Sequence, residues 1–340
     1  MALRERLRFP LARALFCAAI LLAGVTLAPG TGSAAPTPGD EGGSPMLRDV
    51  LESTGRGYVE AKNLVARSKQ RQERLAAELR MIEQRITDLG PEAARIAANA
   101  YRIGRLAPVA VLVSSGSPDI YLRRAETLDQ LAIRDNSRLH ELSLAHARAT
   151  QAKAAIDAEL AEEQKQFQIM MKRRQEAERA FALVGGRTTG GWVSATSPVA
   201  RPAPRGRDGS WPRQSCSQND PTTSGCITPR MLHALQEAQR VGFTRYVACF
   251  RPSGPYEHPK GRACDFSMQQ RGFGGDATGA DKIYGNNLAA FLVRNADQLG
   301  ILYVIWYRQV WFPATGWKSY SGANGDPSSD HTNHVHLSML

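Results

Sequence analysis

The first long stretch of the chain carries a helical pattern of hydrophobic positions. Between residues 46 and 184 the chain is rich in Ala, Leu, Glu, Arg and Gln, and apolar residues recur at steps of three and four. This spacing places them on one stripe of a helix and predicts a coiled-coil seam. The clearest run consists of Leu75, Leu79, Ile82, Ile86 and Leu89.

Residues that start or stop helices mark the ends of this pattern. Gly90 and Pro91 predict a stop or bend in the first helix. Ser117, followed by a proline at the first helical position, is a good N-cap for a second long helix, and no Gly or Pro then occurs until Gly185. Residues 46–184 are therefore predicted to form a coiled-coil helical hairpin.

The C-terminal residues 214–340 show a different pattern, in which short apolar runs alternate with turn residues. Helices are predicted after Thr228 and over residues 284–300. The remaining apolar runs are typical of strands. The predicted fold class is a long helical hairpin followed by a small α+β domain with an antiparallel sheet. The strands are predicted at 243–250, 262–268, 301–306, 309–312 and 334–339.

Three further segments have no such pattern. Residues 185–213 are rich in Gly, Ser, Pro and Arg and are predicted to be a linker, whereas residues 35–45 are predicted to be disordered. Residues 1–34 combine basic residues, an apolar run and small residues, which predicts a signal peptide cleaved after Ala34 and a secreted or cell-envelope location. An uncleaved anchor is the alternative, although the apolar run is shorter than the ~20 residues that span a membrane.

The cysteines and the charge agree with export. Four of the five cysteines lie in the C-terminal region, and an even number in an exported domain predicts two disulfides. Of the three pairings, proximity favours Cys216–Cys226 and Cys249–Cys264; a structural zinc site is the alternative. The net charge of +11 favours an anionic cell envelope over nucleic acid as a partner, unless it only solubilises the chain.

Histidines and an aspartate in the C-terminal region form a candidate metal site. His334 and His336 are two apart in a predicted strand and therefore point to one face. His258 and Asp265 stand on either side of a glycine turn. Two imidazoles and a carboxylate with an open fourth position are the pattern of a catalytic zinc site. The alternative is that the histidines only form hydrogen bonds to the backbone.

The stretches CFRPSG, EHPKGRACDFS and NHVHLSM resemble the zinc D-Ala-D-Ala peptidase and lysostaphin-like fold group. The resemblance covers essentially the whole C-terminal domain. It implies zinc (Zn²⁺) as the cofactor, peptidoglycan peptide as the substrate, and His258, Asp265 and His336 as the ligands. It also implies that His334 lines the site and that Arg251 polarises the substrate carbonyl or binds its carboxylate.

Asn333 departs from the pattern of that group. Its members usually carry an acidic residue at this position, as the base that activates the attacking water, and an amide cannot accept a proton at neutral pH. Asp330, Glu257 or His334 could act as the base instead, with Asn333 positioning water or substrate. Otherwise the reaction differs, or the domain binds wall peptide without cleaving it. Whether the chain is an active zinc metallopeptidase therefore stays open at this point.

The stretch LVSSGSPDIYLRRAETLDQLA within the helical region resembles the coiled coils of secreted bacterial peptidoglycan hydrolases. The resemblance implies that the coil can dock on a membrane divisome complex; a plain spacer is the alternative. The sequence thus predicts a cell-envelope protein that hydrolyses or binds peptidoglycan peptide. The rival prediction is a non-enzymatic adaptor with a degenerate peptidase-like domain.

One disulfide is predicted beside the metal site. Cys264 and Asp265 are adjacent in a strand, so their side chains point to opposite faces. Cys249 and Arg251 would share a face in a regular strand, so a bend or bulge is needed to bring Arg251 to the metal side. We hypothesise that the Cys249–Cys264 bond holds the strand that carries Asp265; ordinary stapling of a small secreted domain is the alternative.

Overall fold

A computed structural model describes residues 45–340, apart from 105–106, 115, 193, 195, 255 and 321. The predicted signal peptide and most of the predicted disordered segment lie outside these residues. The helical region consists of α1 (Pro45–Ile103), α2 (Ala107–Val113) and α3 (Pro118–Leu183). Within the described residues, no helix combines the length and the apolar character needed to cross a membrane.

Helix α1 packs along α3 as an antiparallel hairpin. Ion pairs join the two helices, with Arg71 2.6 Å from Glu159 and Arg138 3.4 Å from Glu92. Residue numbers rise along one helix while they fall along the other, so the pairing is antiparallel and lies within one chain. The predicted seam is half-buried, and its last residue, Leu89, is 4% exposed. The predicted coiled-coil hairpin is therefore confirmed.

The predicted stop at Gly90 and Pro91 is wrong, because α1 continues through Pro91 to Ile103. Proline removes one backbone hydrogen bond from a helix interior and crowds the preceding turn. Leu89 is buried just before Pro91, and Glu92, directly after it, pairs with Arg138 of α3. Tertiary contacts on both sides of the proline thus hold the helix together where local preference would end it.

The C-terminal region is a small α+β domain, as predicted. A six-stranded antiparallel sheet has the order β3-β4-β8-β5-β6-β7, and β1 pairs with β2 separately. The helices are α4 (Pro229–Arg240), α5 (Gly279–Arg294) and α6 (Ala296–Leu299). The strands are β1 (Gln218–Asn219), β2 (Cys226–Ile227), β3 (Val247–Ala248), β4 (Ala263–Ser267), β5 (Ile301–Trp306), β6 (Gln309–Phe312), β7 (Gly316–Ser319) and β8 (His334–Met339).

The two faces of this sheet have different surroundings. One face carries Phe266, Val335 and Leu337 and packs in one core with residues of α4 and α5. The other face carries the polar residues of the candidate metal site on β4 and β8. Further across that face, Tyr303 and its neighbours lie in a second buried cluster with Leu51 of α1 and with residues of α3. The base of the hairpin therefore covers part of the face on which the candidate site lies.

The segment predicted as a linker lies against the domain in this structure. The Trp192 ring contacts Trp317, with ring centroids 5.2 Å apart. The backbone N–H of Ala200 donates a hydrogen bond to the side-chain oxygen of Asn295 at 2.8 Å. The domain boundaries themselves stay predictions.

Both predicted disulfides are present, Cys216–Cys226 and Cys249–Cys264.

Candidate metal centre

The register of β4 and β8 brings the acidic ligand candidate to one of the histidines. Asp265 lies directly opposite His336 in the antiparallel ladder, and Ser267 lies opposite His334. Residues two apart in a strand share a face, so both histidines project beside Asp265. His336 Nδ1 is 2.8 Å from Asp265 Oδ1, and His334 Nε2 is 3.6 Å from the same oxygen.

His258 reaches the site from a 3₁₀ helix, His258–Lys260, which ends at Gly261 in the left-handed conformation with φ 66°. Its Nε2 atom is 3.3 Å from Asp265 Oδ2. Its Nδ1 atom contacts the backbone carbonyl of Cys249, to which it can donate a hydrogen bond. That bond assigns the proton to Nδ1 and leaves the Nε2 lone pair directed at the site, as in many metal-binding histidines.

The three predicted ligands form a group that could hold a metal ion. His258, Asp265 and His336 each offer one ligand atom, and these atoms lie within 4.8 Å of one another. All three residues are at most 1% exposed. Imidazole nitrogens and a carboxylate oxygen are donors that suit zinc and other first-row divalent metals. The donor set thus fits such an ion.

Two groups at the site have shifted pKa values, and the shift of Asp265 favours the ionised form that binds metal ions. Burial opposes ionisation of Asp265, but the positive charges that His258, His334 and Arg251 can carry hold the pKa of its carboxyl well below the usual range. Burial lowers the pKa of His334 to about 4, against the opposing effect of Asp265. A carboxylate and neutral imidazoles are the forms that bind metal ions.

Arg251 joins the site because the neighbouring strand is shorter than predicted. The backbone N–H of Cys249 donates to Thr222 Oγ1 at 3.0 Å, and that of Phe250 donates to an Asp220 carboxylate oxygen at 2.8 Å. These bonds replace the sheet ladder, so β3 ends at Ala248 and its regular alternation stops there. Arg251 then reaches Asp265, with Nη1 3.7 Å from Oδ2.

Asn333 orients His334. Its Oδ1 atom lies 2.7 Å from His334 Nδ1 and accepts a hydrogen bond from it. Its amide nitrogen donates to the carbonyl of Gly274 at 2.8 Å and to Ser328 Oγ at 3.1 Å, which fixes the orientation of the amide. His334 therefore carries its proton on Nδ1 and directs the Nε2 lone pair at Asp265.

The other two candidate bases lie in different surroundings. The Asp330 carboxylate accepts hydrogen bonds from Arg308 Nε at 2.7 Å and from the backbone N–H groups of Asn324 and Gly325 at 2.8 and 3.0 Å. It organises the loop before β8, and a role as base stays a prediction. Glu257 is fully buried among three cations, Arg56, Lys260 and Arg262.

The structure also places His331 beside the site, which the sequence reasoning missed. Its ring centroid is 4.6 Å from that of His334 and 5.8 Å from that of His336, and the residue is 1% exposed. His331 lies in a loop with φ 52°, so strand alternation could not place it. The signal in the sequence was its membership of the histidine-rich stretch DHTNHVH.

Two further sheet residues contact His336: Tyr303 stacks on its ring, and Ser338 Oγ lies 2.8 Å from Nε2.

Comparison with known proteins gives one match. A family model described as VldE, C-terminal domain, matches residues 223–335, about a third of the chain. The matched residues include His258 and Asp265 and end one residue before His336. No curated protein and no solved structure matches the chain. The C-terminal region is therefore similar to the C-terminal domain of VldE.

Proposed function

We propose that this chain is an exported cell-envelope protein whose C-terminal domain is a zinc-dependent peptidase acting on peptidoglycan peptide. The observation that carries the proposal is the buried group of His258, Asp265 and His336, with Arg251 and His334 beside it. The resemblance of these stretches to zinc D-Ala-D-Ala peptidases supports the choice of metal and substrate.

The residues of the site have separate roles in this proposal. His258 Nε2, His336 Nδ1 and the Asp265 carboxylate would hold the zinc ion, which supplies Lewis-acid chemistry for amide hydrolysis. The Arg251 guanidinium would stabilise the negative charge that develops on the carbonyl oxygen of the substrate. His334, oriented by Asn333, presents a free Nε2 lone pair and would accept the proton of the attacking water.

The remaining features support a location outside the cytoplasm. Two disulfides suit an oxidising compartment. The long hairpin gives the domain reach, and we propose that it docks on a membrane divisome complex.

A second candidate function, wall-peptide binding by a non-enzymatic adaptor, is favoured by Asn333. This amide occupies the position at which the peptidases that the domain resembles carry the acidic base, and its side-chain hydrogen bonds are to Gly274, Ser328 and His334. The adaptor would keep the metal for stability alone, as structural zinc sites do.

Metal content, followed by cleavage, separates the two functions. The protein from residue 35 onwards is purified, and zinc per chain is measured by mass spectrometry against the double variant His258→Ala/His336→Ala. The peptidase proposal expects about one zinc per chain, lost in the variant, and cleavage of peptidoglycan fragments that His334→Gln reduces by roughly 10²-fold or more. Zinc without cleavage supports the adaptor, and no zinc after supplementation refutes the metal centre.

Asn333→Asp provides a further discrimination. If an acidic base is all that the site lacks, the variant gains activity. We expect a loss of activity instead, because Asn333 is assigned the role of orienting His334. An ionised carboxylate at this position cannot donate hydrogen bonds to Gly274 and Ser328, and it would place a negative charge beside His334 Nδ1.

A further inference from the structure

A second site lies away from the metal centre, in a cavity of about 760 Å³ between α1, the segment 208–214 and the end of β8. None of the metal-centre residues lines it. Its walls are dominated by arginine, together with one tryptophan: Arg56, Arg67, Arg213, Arg230, Arg262 and Trp211.

The cavity wall carries more positive than negative charge. Two side-chain carboxylates, Glu60 and Asp208, and the terminal carboxyl group of Leu340 face the five arginines. Asp208 pairs with Arg67 and also accepts hydrogen bonds from Ser210. Behind the wall, Glu257 pairs with both Arg56 and Arg262. Within the described part of the chain, Arg213 has no carboxylate partner.

Arg230 is the central group of this cavity. It is 2% exposed, and its two terminal nitrogens donate to the backbone oxygens of Leu340 and Pro212. The acceptor in Pro212 is a peptide carbonyl, whereas the acceptor in Leu340, the last residue of the sequence, belongs to a terminal carboxyl group that supplies negative charge to the buried guanidinium. Burial, together with the positive charges of Arg56, Arg205 and Arg262, lowers the pKa of Arg230 to about 10.

Three donors in the cavity wall also lack acceptors. Arg230 Nε, Trp211 Nε1 and Arg67 Nε are buried nitrogen atoms with no hydrogen-bond partner among the described residues. A buried donor without an acceptor costs about 1–3 kcal/mol, and native proteins contain few of them. Trp211 is held in place by the guanidinium groups of Arg205 and Arg230, which lie 3.9 and 4.8 Å from its ring centroid. Unsatisfied donors concentrated in one basic cavity indicate a site for a ligand with several acceptor oxygens.

We propose that this cavity binds a phosphate group carried by a larger anionic molecule. Arginine binds phosphate oxygens through several charge-assisted hydrogen bonds, and the indole N–H adds another donor. The volume lies in the range of sites for small organic ligands and exceeds the space that a lone phosphate ion fills. The bound group is therefore a phosphomonoester or a phosphodiester.

A purely structural arrangement makes different predictions. If the arginines only fasten α1 to the domain, adding an anion changes neither heat nor stability in a saturable way. A phosphate site, in contrast, binds the anion to saturation. Its affinity for phosphate falls when a basic residue of the cavity wall is neutralised and rises when an acidic residue is neutralised.

Calorimetric titration of the chain with inorganic phosphate, at constant ionic strength in chloride, tests the proposal. Trp211→Phe removes the indole N–H and should weaken binding by up to about tenfold. Arg213→Gln should weaken it by about two- to fivefold, and Glu60→Gln should tighten it by a similar factor, because both side chains are exposed and screened. Arg207→Gln, an exposed arginine outside the cavity, should leave the affinity unchanged.

Saturable binding with this pattern supports the site. No saturable heat, or equal affinities in the Arg213, Glu60 and Arg207 variants, overturns it. A thermal unfolding curve shows whether Trp211→Phe folds. If it does not, the variants at the exposed positions Arg213 and Glu60 still test the proposal. Titration with glycerol phosphate and with glycerophosphoglycerol distinguishes a monoester from a diester ligand, and acetate that binds as tightly as phosphate refutes the phosphate assignment.

Discussion

The Cys249–Cys264 disulfide connects two parts of the candidate metal centre. Cys264 directly precedes Asp265 in β4, and the carbonyl of Cys249 is the acceptor for His258 Nδ1. Removing the bond should therefore release both the candidate ligand Asp265 and the carbonyl group that orients the candidate ligand His258. We predict that the double variant Cys249→Ala/Cys264→Ala loses metal affinity as well as stability.

The second disulfide provides a matched control for the size of the effect. The two bonds close loops with sequence separations of 15 and 10 residues. Loop entropy in the unfolded chain then gives nearly equal contributions of about 3.0 and 2.7 kcal/mol. Cys216–Cys226 carries neither a ligand nor the acceptor of one. Loss of a group that orients a ligand typically weakens metal binding by about 10- to 100-fold, so only Cys249→Ala/Cys264→Ala should show a loss of that size.

Two measurements separate stability from metal affinity. Urea unfolding of the metal-free proteins should give similar losses of unfolding free energy for both double variants. Zinc affinity, from competition with a chromophoric chelator under native conditions, should fall at least about tenfold for Cys249→Ala/Cys264→Ala and less than about threefold for Cys216→Ala/Cys226→Ala. Equal losses of affinity would refute the reasoning and leave the Cys249–Cys264 bond as a staple of the fold.

Two further predictions concern the support of the site. At Gly261, where φ is +66°, an added Cβ atom would lie 2.4 Å from Cys216 Sγ, so Gly261→Ala should cost about 2–4 kcal/mol of unfolding free energy. Gly316 has a similar φ of +69° but open space around it, so Gly316→Ala should cost only about 1 kcal/mol. Similar costs for the two variants in urea unfolding would contradict this prediction. Burial opposes ionisation of Asp220, but hydrogen bonds from two threonine hydroxyls and two backbone N–H groups lower its pKa. Its stabilisation is therefore complete above about pH 4 and is lost as pH falls through the folded pKa. Asp220→Asn should therefore reduce the acid-induced fall in unfolding free energy below about pH 4, whereas the exposed Asp157→Asn should not.

The helical hairpin could be predicted because its signal is local. The seam through Leu75 and Leu89 repeats with the helix period, and the N-cap at Ser117 accepts a hydrogen bond from Ile120 as the sequence suggests. The error at Pro91 has the opposite origin, since packing against α3 outweighs a local preference that sequence alone can see. Local patterns thus predict where helices begin more safely than where a packed helix ends.

The candidate metal centre could be predicted where its residues lie on strands, and less well where they lie in loops. Alternation along β8 placed His334 and His336 on one face, and cross-strand pairing with Asp265 follows from the sheet. His331 and Asp330 lie in the loop before β8, where no period relates sequence to direction. Only the folded loop shows that the His331 ring contacts His334 and that the Asp330 carboxylate binds Arg308.

Burial has a consequence for the proposed reaction. His258, Asp265, His334 and His336 are at most 1% exposed, so their positions are set by packing before any metal binds. Tyr303 stacks on His336 and also belongs to the cluster that contains the base of the hairpin, so the hairpin helps to hold this candidate ligand. Arg251, with a side chain 16% exposed, is more accessible than Asp265, the candidate ligand that it contacts. A substrate carbonyl that approaches from that side meets the guanidinium first, which is the order that the proposed role of Arg251 in charge stabilisation requires.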